Sequence, residues 1–314
     1  MNIQHPDLVV KHIKTKNKIR KIVSYRSADC ELRKKHDLIQ QFLVDNFIPS
    51  IFSKGYVKKR SIYHNAIAHL YNDYFIMLDI KDFFPHICHK QLSDKLFYEL
   101  NKLSPNQISK LECRELIDAC SVSSRGLPLG FVTSPILSNI YLKEFDGILY
   151  GRIKSLGLAN PIYTRYADDL VISFKTTDVQ TQLDINKTIQ EIASELLARY
   201  GLQLNSHKSR SYNLRISNHV RITGVNIVID STGRRHLTVG RSIKNKLYWD
   251  AISCFESNKQ DAELVQKIKG MQSFVLSIEK CGYEDCYSEN MIKKVYALGF
   301  DSLRQLIDSL KVSG

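Results

Sequence analysis

PIYTRYADDLVISF, residues 161–174, is two short runs of β-prone residues that meet at Ala167-Asp168-Asp169. Strand-like segments converging on a brief polar break predict a hairpin, here with two acids at its tip. Upstream, FIMLDI (75–80) is an apolar run closed by Asp79, the pattern of a buried strand that delivers a carboxylate at its end. Adjacent carboxylates with apolar neighbours repel one another unless a cation neutralises them. Taken alone, two acids in a turn also describe an ordinary solvated hairpin tip.

The flanking pattern sets the fold class. Residues 18–26 (KIRKIVSYR) alternate basic and apolar side chains, as a half-buried strand does. Residues 31–47 space Leu32, Leu38, Ile39, Phe42, Leu43 and Phe47 as one helical face, and 179–200 does the same with Leu183, Ile189, Ile192, Leu196 and Leu197 before Gly201 stops it. VRITGVNIVID (220–230) is strand-rich and Ser231-Thr232-Gly233 supplies a turn. From 241 the pattern is helical, with Ile243, Leu247, Ala251 and Phe255 as an apolar stripe and Arg241, Lys244 and Lys246 largely off it. Further helical stretches are expected at 262–279 and 287–311. Strands alternating with helices early, and helices late, predict an α+β core followed by a helical C-terminal unit.

Composition narrows the partners. With 314 residues and 43% hydrophobic content the chain can bury a sizeable core. The 45 Lys+Arg against 32 Asp+Glu leave a formal +13, which favours a polyanion or simply a solvated basic face. The excess is front-loaded: residues 1–60 hold about 14 basic against about 5 acidic side chains. Seven cysteines form no CxxC pair, which argues against zinc and for reduced thiols in a cytoplasmic protein. Neither an apolar leader core nor a run of about 18 apolar residues is present, so no membrane span is expected. An all-oxygen donor set of Asp79, Asp168 and Asp169 suits hard Mg²⁺, and two such ions can serve an in-line displacement at phosphorus.

The motifs together resemble a known family. Tyr166-Ala167-Asp168-Asp169 matches the YxDD box of reverse transcriptases, LDIKDFFPHI (78–87) resembles their first catalytic motif, and GLPLGFVTSPILSNIYLKEFD (126–146) resembles the motif that meets template and incoming nucleotide. All three stand in the family's order. The resemblance implies a right-hand polymerase with fingers, a palm built from an antiparallel sheet packed on helices, and a helical thumb. It implies that Asp79 and Asp168 hold two Mg²⁺ ions, with Asp169 completing the carboxylate cluster and the Ile80 carbonyl as a further ligand. Phe84 falls where the family places its sugar gate for dNTPs, although an apolar residue after Phe83 is also ordinary core. Pro128 and Gly130 would shape a close backbone approach to the base pair. Leu129 stands where many relatives have Gln, which removes a polar contact near the nucleotide. Lys208 in LNSHKSR (204–210) matches the lysine proposed to protonate departing pyrophosphate, or is a generic basic loop residue. Arg20, with Arg26 as rival, lies where relatives grip the triphosphate.

Two shorter matches point within the family. Asn65-Ala66-Ile67-Ala68-His69 matches the NAxxH signature of retron reverse transcriptases, and Ile222-Thr223-Gly224 resembles their VTG signature with Ile for Val. A helix-start Asn and a core His would be the plain reading of the first. The retron resemblance implies a cognate structured non-coding RNA as template and primer. It also implies a single-stranded DNA product begun from an RNA 2′-hydroxyl, and a separate effector protein in antiphage defence. Asn65, His69, Arg241, Lys244 and Lys246 become candidate RNA contacts. The expected division is fingers 1–75 with part of 88–125, palm 76–235 and thumb 236–314. A non-retron defence enzyme with different priming, and an idle RNA-binding scaffold, are the alternatives.

Overall fold

The computed structural model describes residues 5–15, 18–102, 106–176, 179–257, 261–280 and 282–311, without the side chains of 15, 18–20 and 179–181. The chain divides into two units, Met1–Ser61 with Asn72–Asn213, and Ile62–Tyr71 with Leu214–Gly314.

In the first unit a hairpin of β1 (Leu8–Thr15) and β2 (Lys18–Tyr25) runs in unbroken antiparallel register. Only β2 was expected, because LVVKHIKT alternates less regularly. Helix α1 (Glu31–Asn46) buries Leu43, whereas Leu38, counted in its apolar face, is 74% exposed. The short helix α2 (Ile62–Ile67) belongs to the second unit. Strand β3 (Tyr74–Asp79) is buried along nearly its whole length, which is why it reads as an uninterrupted apolar run. There follow α3 (Phe83–His86), α4 (His89–Asn101) and α5 (Lys110–Ala119), the last opened by a reciprocal Ser109–Glu112 capping box. Helix α6 (Ser134–Lys154) starts with Pro135 in its first turn and is buried nearly all round, so it forms the spine of the core. Strands β4 (Ala159–Tyr166) and β5 (Asp169–Lys175) are the expected hairpin, followed by α7 (Val179–Arg199) and β6 (Arg210–Asn213). The sheet order is β4-β5-β3-β6, antiparallel throughout.

Leu78, Ile80, Leu137, Ile140, Phe145, Leu170, Ile172 and Leu196 lie in one buried cluster with the strands that carry Asp79 and Asp169. Each contributes about 1.5–3 kcal/mol of transfer free energy, enough in sum to hold that edge rigid.

In the second unit, α8 (Leu214–Ser217) leads into a three-stranded antiparallel sheet of β7 (His219–Ile222), β8 (Val225–Ile229) and β9 (Arg235–Thr238). Thr223-Gly224 makes the first turn with both φ angles positive, at 44° and 92°. Helices α9 (Arg241–Glu256), α10 (Ala262–Ile278), α11 (Glu289–Ala297) and α12 (Leu303–Ser309) complete the unit. The helical stretch expected at 287–311 is thus two helices. Gly299 at φ 87° breaks it, and Ser302 and Glu284 cap the restart at α12. No helix among the described residues is long and apolar enough to cross a membrane.

Candidate active site

Strand pairing assembles the acids. Asp79 is the last residue of β3 and Asp169 the first of β5, and the register sets them opposite each other. The Ile80 amide then donates to the Asp168 carbonyl at 3.0 Å, so both acids of the turn are tied to the end of β3. The turn itself is strained: Ala167 sits at φ 55°, a left-handed conformation that costs a non-glycine residue on the order of 1–3 kcal/mol.

A buried polar scaffold holds that strain in place. Arg165, fully buried, donates to Asp146 through Nε at 2.7 Å and Nη2 at 2.9 Å, a bidentate pair inside the core. Its Nη1 donates to Asn139 Oδ1 at 3.1 Å and to the Ala167 carbonyl at 3.3 Å. Tyr163 Oη adds a bond to Asp146 Oδ1 at 2.8 Å. Asn139 in turn donates to the Gly55 carbonyl at 3.0 Å and accepts from Ser53 Oγ at 2.9 Å. Gly55 permits a close approach there: a Cβ would lie 3.0 Å from the Ala167 nitrogen and 3.2 Å from the Tyr166 ring, tight contacts that the turn would have to yield to.

The charges at the edge are crowded. Lys208 Nζ donates to Asp79 Oδ1 at 2.7 Å and Asn205 Nδ2 to Asp79 Oδ2 at 3.1 Å. The Asp79 bond pushes the Lys208 pKa up, so the ammonium is retained. Asp169 is exposed at the start of β5. Even so, desolvation by the surrounding chain, then the Asp168 and Asp79 charges, raise its pKa to about 6, with Lys208 opposing. Three carboxylates sharing one edge, opposed by a single lysine, keep an excess of negative charge and have the chemistry of a hard-cation site. Among the described residues no three His, Cys, Asp or Glu side chains already close into a metal cage. Asp79 is instead turned to Lys208. The donor set fits Mg²⁺ once that pair opens. Ile80 is fully buried; the ladder beside it uses the Asp79 carbonyl and the Lys81 amide, which leaves the Ile80 carbonyl outside those two bonds.

The remaining expected residues divide. Phe84 lies in the core beside Phe83, and its carbonyl accepts from Leu127 at 2.9 Å, so α3 carries the 126–130 loop. The Pro128 carbonyl accepts from Ser134 Oγ at 2.8 Å and anchors the start of α6. Gly130, at φ 111°, makes its close approach to β2: a Cβ would lie 2.3 Å from the Val23 carbonyl. Leu129, partly buried against the core, accepts from the Val23 amide through its carbonyl at 3.0 Å. Arg20 lies in β2 with its side chain outside the described residues, and Arg26 donates to the Pro6 carbonyl at 2.8 Å.

In the second unit, Asn65 and His69 are both fully buried. Asn65 Nδ2 donates to Thr223 Oγ1 at 3.2 Å, so the NAIAH and ITG segments pack on each other. Their expected direct contact with RNA is corrected in this structure, because neither side chain reaches the surface. Lys244 is a second correction. It is buried and ion-paired with Glu279 at 3.0 Å, on the inner face of α9, whereas Arg241 and Lys246 are exposed.

Asn205, Arg165, Asp146 and Tyr56 were not singled out from sequence. The signal for Asn205 was its place three residues before Lys208. A charged pair separated by 19 residues and buried only by tertiary packing left none.

The profile of the reverse transcriptase (RNA-dependent DNA polymerase) family matches residues 12–227. The chain is 30% identical over 226 residues to the retron Ec73 reverse transcriptase of Escherichia coli, covering 68% of this chain and 67% of that protein. It is 28% identical over 255 residues to the retron Ec86 reverse transcriptase of the same species, covering 79% and 69%. The Myxococcus xanthus retron Mx162 reverse transcriptase is 27% identical over 241 residues, covering 70% of this chain and 48% of that one. The fold is similar to telomerase from Candida albicans, solved in complex with a TWJ fragment of telomeric RNA. The TM-score is 0.51 at 13% identity, over 96% of this chain and 60% of that chain.

Proposed function

The chain belongs to the reverse transcriptase family, in its retron type, and from that premise we propose that it copies part of a cognate structured RNA into single-stranded DNA, starting from a 2′-hydroxyl of the same RNA. RNA-directed DNA polymerase activity is the family's chemistry. The observation that carries its assignment to this edge is the register of Asp79 with Asp169, locked to Asp168 through the Ile80 amide.

Asp79, Asp168 and Asp169, with the Ile80 carbonyl, would hold the metal ions. Two Mg²⁺ ions bound there supply activation of the attacking hydroxyl and charge stabilisation of the departing pyrophosphate. Lys208, retained as an ammonium beside Asp79, is the proton donor to the leaving group. The Arg165–Asp146 pair keeps the turn fixed while charge develops, so little reorganisation accompanies the step. The edge of Phe84 left uncovered by the core would meet a ribonucleotide 2′-hydroxyl and favour dNTPs. Pro128 and Gly130 shape the loop under the templating pair, and Arg20 grips the triphosphate. In the second unit, exposed Arg241 and Lys246 contact RNA phosphates, while buried Asn65 and His69 shape the turn at Thr223 that faces the RNA. The regions 1–75, 76–235 and 236–314 serve as fingers, palm and thumb. The proposal extends to a cytoplasmic enzyme with its RNA and DNA product and a separate effector in antiphage defence.

The test is to express the chain with its flanking genomic DNA and recover the small nucleic acids bound to it. A short single-stranded DNA that stays joined to RNA until debranching, and vanishes in Asp168→Asn, is the expected result. DNA without a 2′–5′ branch would move the enzyme to another defence class. No DNA, and no extension of an added primer–template in Mg²⁺, would sink the polymerase itself.

A further inference from the structure

Residues 52–54 meet the outer edge of β4 in a single parallel β-bridge, within a loop that spans 50–60. The Arg165 amide donates to the Phe52 carbonyl at 2.9 Å and the Lys54 amide to the Arg165 carbonyl at 2.7 Å, and Ser53 bridges Arg165. Asn139 fastens the segment from beneath, and Arg60 Nη1 donates to the Ser50 and Ser53 carbonyls, closing it into a rigid loop. What this loop displays is Tyr56, half-exposed and at φ 59°, its ring centroid 6.2 Å from that of Tyr166 beside the catalytic acids. Lys58 and Lys59 follow it, both exposed. An aromatic ring on a rigid support, followed by free cations, is how proteins hold a nucleic-acid strand without reading its sequence.

The order of the sheet decides which strand. Tyr56 lies beyond β4, whereas Asp79 ends β3 and Lys208, in the turn before β6, is bonded to Asp79 at the other side of the hairpin. Two strand spacings, about 10 Å, separate β4 from β3, and Tyr56 stands outside β4. In an in-line displacement the attacking and leaving oxygens stand on opposite sides of the phosphorus. With Lys208 at the leaving pyrophosphate, the attacking hydroxyl belongs on the Tyr56 side.

We propose that Tyr56 packs against the 3′-terminal nucleotide of the primer strand, with Lys58 and Lys59 on its backbone phosphates. This rests on the polymerase reading and on Lys208 marking the leaving-group side.

Extension of an RNA-templated primer by the full-length protein tests it. Tyr56→Ala raises the KM for primer–template about 10-fold, with the KM for dNTP changed by less than about 2-fold. Tyr56→Phe, which keeps the ring, stays near the parent in both, and the half-exposed position leaves the melting temperature of each variant unchanged. Lys58→Ala with Lys59→Ala lowers the slope of log affinity against log salt by roughly 2. A primer with 5-iodouracil at its 3′ end, irradiated without metal, crosslinks to Tyr56, a readout that needs no turnover. An unchanged primer–template KM in Tyr56→Ala, a rise in the dNTP KM instead, or a crosslink near Lys208 would overturn the placement. A parent protein that extends no primer would overturn the polymerase reading and this proposal with it.

Discussion

Lys208 and Asp79 form an ion pair at 2.7 Å, and in the proposed mechanism Lys208 leaves Asp79 when metal binds and then serves the leaving group. Lys208→Ala should lower kcat about 100-fold with the dNTP KM little changed, measured by steady-state extension. A fall in affinity alone would reduce the lysine to a phosphate contact. Asp169 carries the opposite signature. Its folded pKa of about 6 stands above the ordinary carboxylate value, so the folded state binds more protons across the window from about 4 to about 6. Stability of the chelator-treated protein should therefore fall as pH rises through that window. At pH 7 Asp169→Asn, freed of the repulsion, should melt higher than the parent while losing extension at least about 100-fold. A lower melting temperature would show that the acids are not crowded. The acid cluster was legible from residue type and spacing, because adjacent carboxylates among apolar neighbours call for a cation, whereas the proposed role of Lys208 came only from the family resemblance. Tyr56 was not legible, since nothing in GYVKK says that it lies beside Tyr166.

Elements are tied to one another by polar contacts that hydropathy does not reveal. The Ala119 carbonyl can only accept, so His36 Nε2 carries the proton and bonds it at 2.9 Å, and Nδ1 accepts from Tyr25 Oη at 2.7 Å. The Tyr25 hydroxyl also takes the Val132 amide, which joins β2, α1 and the loop before α6. Burial holds the His36 pKa below its ordinary 6.5, so the unfolded chain binds more protons below that pH. Stability should drop as pH falls below about 6.5, and His36→Gln should flatten that limb in urea titrations at pH 5 and pH 7. An unchanged limb would place the acid sensitivity elsewhere. In α9, Lys244 meets Glu279, which also accepts from Thr238 Oγ1 and the Val239 amide. Lys244→Ala should cost roughly 3 kcal/mol of stability by stranding a buried carboxylate. Lys246→Ala, on the exposed face, should leave stability alone and reduce the salt slope of RNA binding by about 1. The helical period marked α9 correctly. It misplaced Lys244, because a lysine bound for an interior ion pair and one bound for solvent look the same in sequence.

At the scale of the molecule, the second unit takes ten residues, 62–71, from within the span of the first. Helix α2 packs on β7 and β8, and Arg235 Nη1 donates to the Leu70 carbonyl. A fragment ending at residue 213 should accordingly be cut by chymotrypsin at Tyr63, Leu70 or Tyr71, where the full chain resists. Equal resistance would mean that the segment folds without its partner. No hydropathy boundary marks this exchange; the segment reads as an ordinary short helix. The sequence by itself determined the α+β class, the catalytic hairpin, the strand ending in Asp79 and the family, since periodicity and the acid motifs are local and survive without a partner. Tertiary structure alone decided that Arg165 and Asp146 neutralise each other under the turn, that Asn65 and His69 face inward, and that Tyr56 stands beside Tyr166. Each of these depends on which distant residue arrives to satisfy a buried charge or hydrogen bond. That pairing is settled only when the chain closes its core.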